Sequence, residues 1–281
     1  MCALNSLTFF LNLEYDKIAD EIIAFIKKTV NAAYAKGVVI GLSGGLDSSV
    51  VASLCVRSLG KEKVLGVLMP AEFTPQNDTA DAEELANQLG IQTELMPIQQ
   101  ISEVFFKKLG CDPKVSEQKI PAANILARIR MIMLYYYANL YGYLVVGTGD
   151  RSEMLIGYFT KYGDGGVDFM PISHLYKSQV RELAKHLSIP EKIVHKPSSP
   201  QLYQGHKLTD ELPLDYDKLD LILFGFFDCK LSIYKISKLT GVSTEVVENI
   251  LVRFAKSKHK RAGPPVLKSK LINVSESKRQ C

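Results

Sequence analysis

No apolar run in this chain reaches the ~18 residues that a membrane-spanning helix needs. The first residues, Met1 to Leu13, have neither a basic start nor a small-residue cleavage site. Neither a membrane span nor a secretory leader is therefore expected. Cysteine is sparse: Cys2, Cys55, Cys111, Cys229 and Cys281 stand apart, without the paired spacing of a metal site. An odd, dispersed set predicts reduced thiols in a cytoplasm. Strong charge of one sign is missing too. A net charge of +4 over 281 residues suits anionic small molecules and does not by itself imply nucleic acid. Internal repeats and low-complexity tracts are absent. The balance of 47% apolar and 23% charged residues is that of an ordinary globular chain, long enough for one large domain or one with a small appendage.

What is present is organised around Gly41 to Ser49, Gly-Leu-Ser-Gly-Gly-Leu-Asp-Ser-Ser. It follows the apolar run Val38 to Ile40 and precedes a second run starting at Val50, so the glycines fall where a buried strand gives way to a helix. Gly44 and Gly45 admit backbone angles closed to other residues and let a ligand approach the main chain. Ser48 and Ser49 place hydroxyls and free N–H groups at the positive end of the helix, a ready anion site. The Walker pattern would put a Lys beside the final Ser or Thr. Here that neighbour is Asp47, an acid in a phosphate loop, which makes sense if it holds Mg²⁺ that in turn binds the phosphates. A plain Gly/Ser turn is the bland alternative. The loop resembles that of the ATP pyrophosphatases, Ser-Gly-Gly-x-Asp-Ser, which cleave ATP to AMP and pyrophosphate while adenylating a substrate.

The rest of the chain alternates strands and helices. Tyr15 to Tyr34 reads as a helix with Ile18, Ile22, Ile26 and Val30 on one face, and a helix runs from the cradle to about Leu59. Val64 to Met69 is a second strand, Asn77 to Leu89 a helix capped by Gly90, and Gln92 to Met96 a third strand. Continuous apolar strands between helices predict a doubly wound parallel α/β sheet with helices on both faces, its ligand at the carboxyl ends of the strands. Pro121 to Leu140 is the longest helix, with an apolar set wider than one core face needs; burial between sheet and loops and a dimer interface both account for it. Asn124 and Arg128 share a face of it at four-residue spacing. Tyr143 to Val146 is a fourth strand, which brings Thr148 and Glu153 near the cradle. Tyr158 to Asp168 is a long, glycine-rich, charged loop. Ser178 to Leu187 is a further helix, and Lys196 to Pro213, with three prolines, a loop able to close over a site. From Tyr216 onward the chain is helical. Ile236 to Phe254 looks like a helix-turn-helix, but its second helix offers Glu245 and Glu248 to a polyanion, which speaks against DNA binding. The residues after Lys268 are polar and expected to be loosely ordered.

Together these stretches resemble one branch of the pyrophosphatases, the NAD synthetases. The matching pieces are Ser43-Gly-Gly-Leu-Asp-Ser48, Asn124-Ile-Leu-Ala-Arg-Ile-Arg-Met131, Gly147-Thr-Gly-Asp-Arg-Ser-Glu153, Gly157-Tyr-Phe-Thr-Lys-Tyr-Gly-Asp-Gly-Gly-Val-Asp168 and His259-Lys-Arg261, in chain order over about residues 15–265. The resemblance implies an adenine-nucleotide alpha-hydrolase-like fold, a single domain with a helical C-terminal extension between an N-terminal segment (1–14) and a tail (266–281). It implies a cytoplasmic ligase that amidates deamido-NAD with ATP and ammonia through an adenylated intermediate. By the resemblance Asp47, Lys177 and Thr148 would be catalytic. Gly41, Leu42, Ser43, Gly44, Gly45, Leu46, Asp47, Ser48, Thr148, Lys177 and Ser198 would bind ATP, Ser198 standing where the family usually has Thr. Asp47 and Glu153 would hold Mg²⁺, and Arg128, Lys161, Asp168, His259 and Lys260 would bind deamido-NAD. A homodimer is implied, and a separate glutaminase is a possible partner. Cys2 has one sharper reading, as a glutaminase nucleophile, but the stretch before Val38 is far too short for a domain of ~100–200 residues.

Overall fold

The computed structural model of this chain describes residues 10–197 and 214–267. Its apolar runs become strands β1 (Val38–Gly41), β2 (Val64–Leu68), β3 (Gln92–Leu95) and β4 (Leu144–Val145), all parallel, in the order β3-β2-β1-β4. Val38 pairs with Val64 on one side and Leu144 on the other, so β1 is central. Alternation along the strands serves two cores. Val38, Ile40, Val64 and Leu68 point to one face, and Val39, Leu65 and Val67 to the other. This is why β1 and β2 read as unbroken apolar runs. At the edge, β3 is largely exposed and carries Gln92 and Glu94, a composition that discourages pairing with another chain.

Helices α1 (Tyr15–Ala32), α2 (Leu46–Leu59) and α3 (Gln76–Leu89) cover the first face, together with α7 (Lys177–His186) and the short α8 (Glu191–Val194). Helices α4 (Gln99–Leu109) and α5 (Ser116–Tyr141) cover the second. On α1 the expected stripe Ile22, Ile26 and Val30 is buried, with Ile18 packed at its border. After β4 the short helix α6 (Arg151–Ile156) starts beside the sheet, and Phe169 returns to bridge Val146 in parallel. The C-terminal helices α9 (Tyr216–Phe227), α10 (Ile233–Thr240) and α11 (Thr244–Lys256) end in a 3-10 turn, Ser257–Lys260. They enclose a third core in which Leu219, Ile222, Leu223, Val247 and Ile250 meet Ile156 and Tyr176. Phe10, from the expected N-terminal segment, is buried there against Tyr176 and Phe224. The helix-turn-helix stretch thus spends its apolar faces on packing.

Three expectations need adjustment. Helix α4 was not anticipated, and α5 begins at Ser116, with Pro121 inside it. The thiols are not uniformly reduced: Cys55 and Cys111 are free, but Cys229 is disulfide-bonded. The Lys196–Pro213 loop from residue 198 on, and the tail from residue 268, lie outside the described residues.

Candidate active site

The sheet order places the site. The chain leaves β1 for β2 and β3 on one side, then returns to β4 on the other, so β1 and β4 border the point where the winding reverses. The carboxyl ends of two such strands splay their loops apart and open a crevice. After β1 comes the cradle. Gly44 has φ of +70°, and a Cβ on it would collide with the carbonyl oxygen of Asp78 in α3; only glycine makes this turn without strain. The Ser43 hydroxyl accepts from the Gly45 N–H at 3.2 Å and lies 3.1 Å from the Ser48 hydroxyl. Ser48 and Ser49 donate to the Gly45 carbonyl at 3.1 and 2.7 Å. These bonds fix the hydroxyls at the first turn of α2, whose free N–H groups favour an anion. From behind, Lys196 Nζ donates to the Gly44 carbonyl at 2.9 Å and pairs with Asp78 at 2.7 Å and Asp81 at 2.6 Å. The turn is thereby tied to α3.

After β4, Asp150 caps α6 by accepting from the Glu153 N–H at 2.8 Å. Lys177 opens α7, and its ammonium, 1% exposed, pairs with Asp47 at 2.7 Å, Asp150 at 2.9 Å and Glu153 at 2.8 Å. Three carboxylates around one ammonium leave an excess of negative charge. Burial, then mutual repulsion, push the Asp150 and Glu153 carboxyls well above the usual carboxylate range despite Lys177. The same three acids hold Lys177 far above its ordinary value. Among the described residues Asp47 Oδ1 is buried without a hydrogen-bond partner. An orphaned carboxylate oxygen in a cluster short of positive charge fits a divalent cation. No group of three or more metal-type ligands occurs among the described residues. Mg²⁺ commonly takes only one or two protein carboxylates and completes its shell with phosphates and water, so Asp47 and Glu153 fit it.

The crevice is a cavity of about 480 Å³. Gly41, Leu42, Ser43, Asp47, Ser48, Thr148 and Glu153 all line it, and Thr148 and Glu153 lie beside the cradle, where the ends of neighbouring parallel strands put them. Gly44, Gly45 and Leu46 shape the turn without lining it, and Lys177 stands behind the acids, its ammonium already taken. Of the expected deamido-NAD residues only Lys260 lines the cavity, donating to the carbonyls of Gly157 and Phe159 at 2.8 and 2.7 Å. Arg128, Lys161 and His259 form a chain beside it: Arg128 Nη2 donates to the Lys161 carbonyl at 3.3 Å, and Lys161 Nζ to that of His259 at 2.8 Å. Asp168 is placed apart from these. It accepts from the Val145 N–H at 2.7 Å and from the Tyr135 hydroxyl at 3.1 Å, holding the outer edge of β4. The loop from Tyr158 to Asp168 lies flat on α5, where a Cβ on Gly163 would come within 2.9 Å of the Ala127 side chain. Ser198 lies outside the described residues.

Sequence reasoning gave no role to the charged lining residues Arg130, Asp164 and Arg253, nor to the cap Asp150. Arg130, on α5, faces the cavity while its Nε donates to the Met69 carbonyl at 3.1 Å; burial lowers it to about 10, still a cation at neutral pH. Asp164 lines the cavity from the glycine-rich loop and accepts from the Thr160 N–H at 2.8 Å. Asp150 had a legible signal, an Asp three residues before Glu at a helix start.

A family model described as NAD synthase matches residues 18–264. The NH(3)-dependent NAD(+) synthetase of Hyperthermus butylicus is 49% identical over 261 residues, covering 92% of this chain and 93% of that relative. The protein of the same description from Staphylothermus marinus is 47% identical over 258 residues, 91% and 92% of the two chains. Among solved structures, the NMN synthetase of Francisella tularensis superposes with a TM-score of 0.80 at 32% identity, covering 92% of this chain and 100% of that one. The glutamine-dependent NAD+ synthetase of Acinetobacter baumannii, in complex with ADP, gives 0.63 at 30% identity, with 90% of this chain matching 48% of that one.

Proposed function

The chain belongs to the NAD synthase family, and from that premise we propose how its cavity turns the carboxylate of deamido-NAD into an amide. The reaction is an ATP-dependent ligation that uses ammonia. The substrate carboxylate attacks the α-phosphorus of ATP, pyrophosphate leaves, and an acyl adenylate forms. Ammonia then adds to the acyl carbon, AMP departs, and the nitrogen gives up a proton to leave the neutral amide. One observation carries the assignment: the cradle after β1 and the Thr148–Glu153 edge after β4 bound one cavity, joined through the Lys177 cluster.

In this reading the phosphates of ATP rest on the Gly41–Ser48 turn, held by the α2 N–H groups and by the Ser43, Ser48 and Thr148 hydroxyls. Asp47 and Glu153 would hold Mg²⁺ together with phosphate oxygens, and the ion would supply charge neutralisation for the departing pyrophosphate. Lys177 keeps the two carboxylates aimed from behind. Arg128, Lys161 and Lys260 would offer a cationic side to the dinucleotide, with His259 beside them. Asp168 and Ser198 are assigned to deamido-NAD and ATP on the resemblance. A homodimer through α5 accompanies this reading, because Ile132, Tyr136 and Leu140 sit at four-residue spacing and are each exposed. The free thiols Cys55 and Cys111 suit a cytoplasmic location, the Cys229 disulfide does not, and no described helix is long and apolar enough to cross a membrane. A separate glutaminase chain is compatible with the ammonia requirement.

The test supplies purified protein with ATP, Mg²⁺, ammonium and either deamido-NAD or the corresponding mononucleotide, and follows amide product and pyrophosphate. The likeness to an NMN synthetase favours a second reading in which the mononucleotide is amidated. A higher kcat/KM for deamido-NAD supports the first reading; a higher value for the mononucleotide selects the second. Pyrophosphate release with neither sinks both.

A further inference from the structure

Two acids of the cluster, Asp150 and Glu153, stand at the start of α6 and its lysine at the start of α7, and each is flanked by residues that point the other way. Arg151 and Ser152 separate Asp150 from Glu153; Tyr176 and Ser178 bracket Lys177. Two carboxylates, Asp220 within α9 and Asp228 capping its C-terminus, grip all four of these flanking side chains. Asp220, with no exposed surface, accepts from the Ser152 hydroxyl at 2.5 Å through Oδ1. Through Oδ2 it accepts from the Ser178 N–H at 2.8 Å and the Ser178 hydroxyl at 2.7 Å. The Ser152 oxygen accepts in turn from the Lys177 N–H at 3.0 Å. Asp228, at the far end of the same helix, accepts from the Tyr176 hydroxyl at 2.6 Å and pairs with Arg151 Nη2 at 2.9 Å.

Packing alone does not call for these acids. The face of α9 already buries Leu219, Ile222 and Leu223 completely, and a buried carboxylate costs desolvation that an apolar residue of similar size avoids. What a carboxylate adds is direction. One oxygen fixes α6 and the other fixes α7, so the two helix starts cannot rotate or slide past each other without losing charge-assisted bonds. Because successive residues of each helix point to different sides, holding Ser152 sets Glu153 and holding Ser178 sets Lys177. Groups that clamp a phosphate-bound cation must be held to about half an ångström.

We infer that Asp220 is a positioning residue for the ligase reaction: it locks α6 to α7 and so keeps Glu153 and Lys177 in register with Asp47, with Asp228 as a second anchor on the same helix. The inference rests on the assignment of Asp47 and Glu153 given under the proposed function. It also changes the standing of the C-terminal helices, which become part of the frame that aims the site.

The experiment compares Asp220→Asn, Ser178→Ala and Glu153→Gln with the unaltered full chain. Asparagine keeps the volume at position 220 but cannot accept through both side-chain ends. The expected result for Asp220→Asn is a kcat lowered about 10–100-fold, with KM for deamido-NAD little changed. Calorimetric affinity for Mg²⁺-ATP should weaken while the melting temperature stays near that of the parent. Ser178→Ala, which removes one grip and leaves the carboxylate two other donors, should show a smaller loss of the same pattern; it carries the test if Asp220→Asn does not fold. Glu153→Gln calibrates the site. If Glu153→Gln loses turnover and Mg²⁺-ATP affinity while folded Asp220→Asn and Ser178→Ala keep both, the positioning role is wrong and the site assignment stands. If Glu153→Gln keeps both, the site assignment fails and takes the positioning role with it.

Discussion

At the scale of single residues, Lys177 decides the electrostatics of the site. Among the described residues its ammonium is the one cation that touches Asp47, Asp150 and Glu153 together, and removing one partner from a buried ionic cluster costs about 3–5 kcal/mol. Lys177→Met should therefore destabilise the metal-free protein, and the loss should depend on pH. Asp150 and Glu153 already have raised carboxyl values from burial. An acid with a raised folded-state value contributes stability that is full at low pH and is lost as pH rises through that value. In Lys177→Met the raising grows, so the acids that ionise in the parent at about pH 7 and about pH 8 stay protonated in the variant, and the gap in unfolding free energy should widen as pH rises from about 7 to about 9. Denaturant titrations across that range check it; a gap that is flat or narrows refutes it. Gly44→Ala tests the cradle in a different way. A left-handed alanine costs about 1–2 kcal/mol on backbone grounds, and the collision with the Asp78 carbonyl adds to it. The variant should melt lower and show a raised KM for ATP, whereas an unchanged KM would mean the turn does not carry the phosphates. Asp47 and Glu153 were legible in the sequence because an acid inside a phosphate loop, and another just past a neighbouring strand, follow from local spacing. The orientation of Lys177 was not, since it depends on where α7 packs against α2 and α6, and residue spacing holds no record of that.

At the scale of elements, strands β1 and β2 were legible because burial on both faces leaves an unbroken apolar run. Helix α4 was hidden for the opposite reason. Ser102 is its single buried residue, Val104, Phe105 and Leu109 are exposed, and only Ile101 and Phe106 lean on the second core. Its pattern therefore does not mark one inward stripe. Helix α5 misled at its start, since Pro121 reads as a first-turn proline, yet a turn from Ser116 precedes it. The breadth of apolar side chains on α5 is only partly explained by the core. Leu126, Ile129 and Tyr137 are buried, while Ile132, Tyr136 and Leu140 face outward in a row. Under the proposed dimer a second copy of the chain covers that row. Sedimentation at micromolar concentration should then give twice the 31.3 kDa of one chain. The pair Ile132→Glu and Tyr136→Glu should halve that mass, by placing charges against apolar surface at the interface. A parent protein that sediments as one chain sinks the dimer.

At the scale of the whole molecule, the remaining matter is where the amide nitrogen comes from. The glutamine-dependent neighbour matches this chain over 48% of its own length, so about as much polypeptide again lies outside the match there. A glutaminase needs an activated cysteine, and activation means a lowered thiol value in a polar, partly open place. Cys55 is the reverse: fully buried in α2, with burial pushing its thiol up to about 12. Cys229 is disulfide-bonded, and Cys111 sits just after α4. Cys2 and Cys281 lie outside the described residues. The expectation is therefore that isolated protein makes amide from ammonium and none from glutamine. The attacking species is ammonia with a free lone pair, and ammonium, like a lysine side chain, holds its proton above neutral pH. At fixed total ammonium below saturation the rate should accordingly climb as pH rises from about 7 to about 8.5, where the unprotonated fraction grows. The measurement compares product formed with ammonium against ammonium-free glutamine near pH 8, in the parent and in Cys2→Ala. A glutamine rate comparable to the ammonium rate and surviving in Cys2→Ala would defeat the expectation, while a glutamine rate abolished by that substitution would instead make Cys2 a nucleophile.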